Sequence, residues 1–88
     1  MALGTLPGWQ REGDVIRRTF TFAGFPDAVA FVVRVGFAAE AVDHHPDLLV
    51  NYTRVSVTFT THSEKGLTRK DLDGAQTADA IATAMGIR

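Results

Sequence analysis

The sequence predicts an α+β fold in the order β-β-α-β-β-α, a four-stranded antiparallel sheet with helices packed on one face. Three observations carry that expectation. Residues 14–22 (DVIRRTFTF) and 54–62 (RVSVTFTTH) alternate in polarity with the period of a strand. Two other stretches, Ala28 to Ala39 and Leu72 to Met85, repeat apolar residues at helical spacing. A strand pair, a helix, a second strand pair and a last helix is the pattern of a sheet backed by helices on one side.

The elements follow in order. Trp9 and Gln10 are expected to form a short first strand, with REGD (residues 11–14) as the turn. In the second strand Ile16, Arg18, Phe20 and Phe22 share one side, and Val15, Arg17, Thr19 and Thr21 the other. Pro26 and Asp27 suit the first turn of a helix. Proline loses no hydrogen bond there, and an acid suits the positive end of the helix dipole. Ala28, Phe31, Val32, Val35 and Ala39 carry that helix to about Ala41, and Pro46 forbids its continuation. Leu48 to Asn51 is the third strand. In the fourth, Val55, Val57 and Phe59 face one way and Ser56, Thr58, Thr60 and His62 the other. SEKG (residues 63–66) is a turn. Thr68 is a good N-cap, with Asp71 three residues on, close to a capping box. The last helix then carries Leu72, Ala75, Ala78, Ile81, Ala82 and Met85 on one stripe.

Composition narrows the function classes. The chain has 88 residues, 45% of them apolar and 22% charged, which fits a single domain spanning residues 1–88. A chain of this size buries only about 60–65% of its unfolded surface, so association with further copies is expected. A formal net charge of −1 gives no bulk hold on nucleic acid or anionic membrane. The absence of cysteine excludes disulfides and thiolate chemistry. The opening MALGTLPGWQ has no signal-peptide pattern, and no apolar run approaches the ~20 residues of a membrane helix. A cytoplasmic location is the resulting expectation.

The chemistry concentrates in VDHHPDLLVNY, residues 42–52, which places His44 beside His45 at the end of the first helix. Glu40 lies four residues before His44. Neighbours in an extended segment point to opposite sides, so the two imidazoles should not both face one small ion. Pro46 confines His45 to extended conformations and so stiffens the segment. His62 closes the last strand, where its side chain can reach past the sheet edge. Three imidazoles and a carboxylate can thus gather round one cleft, and imidazole exchanges protons near neutral pH. Each residue also has a plainer role. Glu40 and the histidines suit a solvated surface, and Asp43 suits capping of backbone donors. Trp9 and Tyr52 suit sheet aromatics, and Asp71 is well explained as the partner of Thr68. A three-histidine zinc site is chemically possible but sits awkwardly with an adjacent pair. No G-x-S-x-G or phosphate-cradling glycine loop is present.

Taken together, Glu40, three residues, His44-His45-Pro46, five residues, Tyr52, nine residues, His62, eight residues and Asp71 form a specific pattern. It resembles the signature of the pterin-4a-carbinolamine dehydratase family. Gly8-Trp9, RRTFTFAGF from Arg17 and THSEKGLTRKDL from Thr61 extend the resemblance over nearly the whole chain. The resemblance implies a four-stranded antiparallel sheet backed by helices. It also implies loss of water from 4a-hydroxytetrahydropterin to give quinonoid dihydropterin, as in tetrahydrobiopterin biosynthesis and recycling, without metal or organic cofactor. By likeness, His45 and His62 make the proton transfers, while His44 binds and orients the pterin and shares the acid role. Glu40 tunes the group. Asp43, Thr60, Thr61 and Ser63 line the substrate pocket with the histidines, and Trp9 forms its rim. Homodimers or homotetramers are implied. Some members are dimerisation partners of transcription factors, so a non-enzymatic interaction module is the alternative. Members commonly carry a further helix before the Gly-Trp pair; seven residues precede Gly8 in this sequence.

Overall fold

A computed structural model of the protein describes residues 6–61, 64 and 66–86. The chain runs through β1 (Gln10–Glu12), β2 (Val15–Thr21), α1 (Phe25–Val42), β3 (Asp47–Asn51), β4 (Arg54–Phe59) and α2 (Arg69–Ala84). The strands form one antiparallel sheet in the order β1-β2-β4-β3. This is the predicted class and element order.

One boundary moves. The first strand begins at Gln10 and takes in Arg11 and Glu12, which pair with Ile16 and Val15. Gly13 adopts φ 57°, a conformation that costs glycine little, and this shortens the turn to Gly13 and Asp14. Trp9 precedes the strand and is buried with Leu6 in the core.

The sheet's inner face is built by the alternation read above. Ile16, Phe20, Phe22, Val55, Val57 and Phe59 are all buried against the helices. From α1 come Ala28, Phe31, Val35 and Ala39; from α2 come Ala75, Ala78 and Ala82. Phe31 lies at the centre, with ring centroids 4.9 Å from Phe20 and 5.0 Å from Phe22. Full burial of one such ring stabilises the fold by about 1.5–3 kcal/mol. Small residues let α2 lie close to the sheet, as at Gly74. A methyl group there would stand 2.5 Å from the Phe59 ring.

Arg18 shares the inner side of β2 with Ile16 and Phe20, and its charge is matched locally. It donates to Asp79 at 2.8 Å and lies 4.5 Å from the Phe20 ring centre. The Trp9 indole N–H donates to the same carboxylate. The outer face of the sheet carries polar partners instead. Thr19 and Ser56 are 2.9 Å apart, and Arg17 Nε donates to Thr58.

One apolar row is left without cover. Phe25, Val29, Val33 and Phe37 recur every fourth residue along α1 and are exposed, Val33 by 50% and Phe37 by 74%. They lie beside the core stripe rather than within it. Leu49 and Val50 on β3, an edge strand, are also exposed.

Candidate active site

The histidines are placed by the way α1 ends. Asp43 takes a left-handed conformation (φ 52°, ψ 44°) and caps the helix through its N–H to the Ala39 and Glu40 carbonyls. The His44 amide then bonds back to Ala39 at 3.1 Å. This reversal folds His44 in against the sheet, while the extended segment held by Pro46 sends His45 the other way.

The two imidazoles meet different carboxylates. His44 Nε2 lies 2.7 Å from Asp71 Oδ1, and the His44 side chain is 12% exposed. Its ring stacks on Phe59, with centroids 5.9 Å apart and planes at 15°. His45 Nε2 lies 2.8 Å from Glu40 Oε1, with side-chain exposures of 54% and 79%. The expected divergence of the adjacent pair is thus met by one carboxylate on each side.

Asp71 is fully buried. Its Oδ2 accepts the Thr61 hydroxyl at 2.7 Å and the Thr68 amide at 2.9 Å. The capping box at the start of α2 is present, so the Thr68 pairing is as expected. The same carboxylate also holds His44, a contact outside its capping role. A sequence signal for this existed. Asp71 stands four residues before Ala75, at the head of the buried Ala75-Ala78-Ala82 stripe. A carboxylate on a core-facing stripe needs several donors.

Other candidate residues take different places. Thr61 is buried, and its hydroxyl is committed to Asp71 and Thr68, so it supports the site from within. The Thr60 hydroxyl donates to the Asp14 carbonyl at 2.6 Å, tying the end of β4 to the β1–β2 turn. Asp43 is exposed at the helix end. Glu40, four residues before His44 in the sequence, meets His45 instead. His62 and Ser63 lie outside the described residues, as does part of the turn expected at residues 63–66. A cavity of about 130 Å³ opens between the helices beside His44, walled by Val35, Ala39, Val42, Phe59 and Gly74 among others. Among the described residues, no three histidine or carboxylate side chains converge as a metal-ligand set.

Comparison with known proteins now bears on this arrangement. Residues 1–81 match the family model described as pterin 4 alpha carbinolamine dehydratase. The chain belongs to that family. A protein of Roseiflexus sp. (strain RS-1), provisionally named pterin-4-alpha-carbinolamine dehydratase, is 51% identical over 79 residues, which is 90% of this chain and 85% of that one. Among solved structures, a transcriptional coactivator/pterin dehydratase from Brucella melitensis superposes with a TM-score of 0.88 at 42% identity. The overlap covers 92% of this chain and 88% of the Brucella chain. A pterin dehydratase-like protein identified as a RuBisCO assembly factor in the alpha-carboxysome has a TM-score of 0.70 over 84% of this chain and 86% of its own. At 20% identity it shares the fold alone. The matched span of the pterin dehydratase family contains Glu40, His44, His45 and Asp71, and also residues 62 and 63.

Proposed function

We propose that the whole chain, residues 1–88, acts as one dehydratase domain that converts 4a-hydroxytetrahydropterin to quinonoid dihydropterin by histidine acid–base catalysis. The observation that carries this reading is the pair of adjacent imidazoles, each held by its own carboxylate, in a chain of the pterin dehydratase family. In the reaction the C4a–O bond breaks and the hydroxyl leaves as water once an acid has protonated it. A base removes the N5 proton, and the nitrogen lone pair forms the N5–C4a double bond. The reaction therefore needs one proton donor and one proton acceptor on opposite sides of a short span, and no electron carrier. His45 and His62 are the proton-transfer groups, with Glu40 steadying His45. His44 orients the pterin and shares the acid role. Each well-placed acid or base contributes about 10²–10⁴-fold to the rate.

The enzyme works in the cytoplasm, in pterin recycling or biosynthesis, as a homodimer or a dimer of dimers. The uncovered α1 row and the exposed β3 edge support self-association. The same row favours a second reading, a non-enzymatic interaction module, which the Brucella protein's description as a coactivator also suits. A stopped-flow assay of 4a-hydroxytetrahydropterin dehydration decides between them. Acceleration well above the spontaneous rate is expected; a rate equal to the spontaneous one would leave the interaction module.

A further inference from the structure

Asp71 is a carboxylate at 0% exposure at the head of a stripe of alanines, and its oxygens can only accept hydrogen bonds while it is ionised. The donors can be traced one by one. The Lys70 amide donates to Thr68 Oγ1 at 3.2 Å. Thr68 Oγ1 lies 2.9 Å from Thr61 Oγ1, whose own proton goes to Asp71 Oδ2. The Thr68 hydroxyl is therefore the donor to Thr61, and the chain of hydroxyls runs one way, ending on the carboxylate. The Thr68 amide adds a second donor to Oδ2. His44 Nε2 stands on the remaining oxygen, Oδ1, at 2.7 Å. Facing an oxygen that only accepts, that nitrogen must carry the hydrogen.

We propose that Asp71, backed by Thr61, is a positioning residue that locks His44 in its Nε2–H tautomer and leaves Nδ1 as the one nitrogen that exchanges a proton with the substrate. This rests on the dehydratase reading. In neutral imidazole Nδ1 then holds the lone pair; once protonated, it is the Nδ1 proton that can be given up again. The stack on Phe59 fixes the ring plane. The left-handed cap at Asp43 fixes the backbone from which the ring hangs. Exchanging the two nitrogens by a ring flip would break the Asp71 bond, so orientation and tautomer are set together, as in other histidine–carboxylate pairs.

The test is a long-range ¹H–¹⁵N spectrum of the ¹⁵N-labelled protein, taken where His44 is neutral, combined with steady-state kinetics. The wild-type protein should show Nε2 protonated and Nδ1 unprotonated. Asp71→Asn can present an amide N–H to Nε2 and should shift His44 toward the Nδ1–H tautomer. Its kcat should fall about 10-fold or more with KM within about threefold, the signature of a lost transition-state contact. Thr61→Val should lower kcat in the same direction by a smaller factor, and Thr61→Ser should restore it. An Nδ1–H tautomer in the wild type would overturn the proposal. So would wild-type turnover in both Asp71→Asn and Thr61→Val. If Asp71→Asn fails to fold, the wild-type spectrum and the Thr61 pair still decide. An inactive wild-type protein with the expected tautomer would sink the dehydratase reading and the catalytic use of the lock. An active one with the opposite tautomer would sink the lock alone.

Discussion

His44 and His45 are consecutive in the chain and end in opposite surroundings. His44 is packed on Phe59 and joined to a fully buried carboxylate from the other helix, 27 residues away. His45 is more than half exposed and joined to Glu40, five residues back on the surface of α1. An exposed pair such as His45–Glu40 is worth about 0–1 kcal/mol and leaves both side chains free to move. Removing one partner of a buried, hydrogen-bonded pair costs about 3–5 kcal/mol. The difference teaches that one imidazole is part of the folded scaffold and the other is held only loosely. A fixed ring suits orientation of a substrate; a loosely held one suits a proton transfer that involves small movements.

The comparison can be broken most forcefully at Asp71. Asp71→Ala strands the Thr68 amide, the Thr61 hydroxyl and His44 in the interior, and should destabilise the protein by about 3 kcal/mol or more. Chemical denaturation measures this, and a loss under about 1 kcal/mol would mean that the buried pair is not structural. Next in size are His45→Ala and His62→Ala. Each should lower dehydration by about 10²-fold or more while the denaturation midpoint stays near that of the wild type. Near wild-type rates in both single variants and in the double variant would reject their catalytic assignment.

Val33→Asp tests the surroundings of His45 from outside. Val33 and Glu40 are seven residues apart on α1 and share a face, so a second copy covering the apolar row would sit beside the Glu40–His45 pair. Light scattering at micromolar concentration should show a dimer or tetramer for the wild type, and a folded chain near 9.5 kDa for the variant. A wild-type mass near the monomer would reject self-association. Unfolding of the variant would place Val33 in the core and contradict its half-exposed position. The smallest effect is expected from Glu40→Gln, with stability changed by under about 1 kcal/mol and a rate lowered several-fold. A 10²-fold loss there would mean that His45 is as firmly clamped as His44. Chelation should leave activity unchanged; activity lost on removal of a bound metal would recast the histidines as ligands.

Most of the fold was legible because it rests on periodicity. The alternation from Ile16 to Phe22 and from Val55 to Phe59, and the stripe from Ala28 to Ala39, all face the core as read. The first strand was misplaced because its position depends on the backbone conformation of Gly13, which hydrophobic pattern does not encode. In the site, the divergence of His44 and His45 followed from local geometry. The His44–Asp71 contact did not, because it joins two elements across the sheet's inner face and depends on how closely α2 approaches β4. Thr60 and Thr61 were grouped as pocket-lining by likeness. Their hydroxyls are spent on the Asp14 carbonyl and on Asp71, partners that only the folded chain brings near.

Gly74 carries a consequence for any effort to make this protein more robust. Replacing a mid-helix glycine by alanine is ordinarily a safe improvement, worth about 1 kcal/mol in helix propensity. At this position the new methyl would press on Phe59, the ring on which His44 stacks. The helix would have to lift or the ring would have to turn, and either movement reaches the imidazole. Gly74→Ala should therefore lower activity even if the helix itself hardens, which makes this residue a point where heat tolerance and turnover are traded against each other.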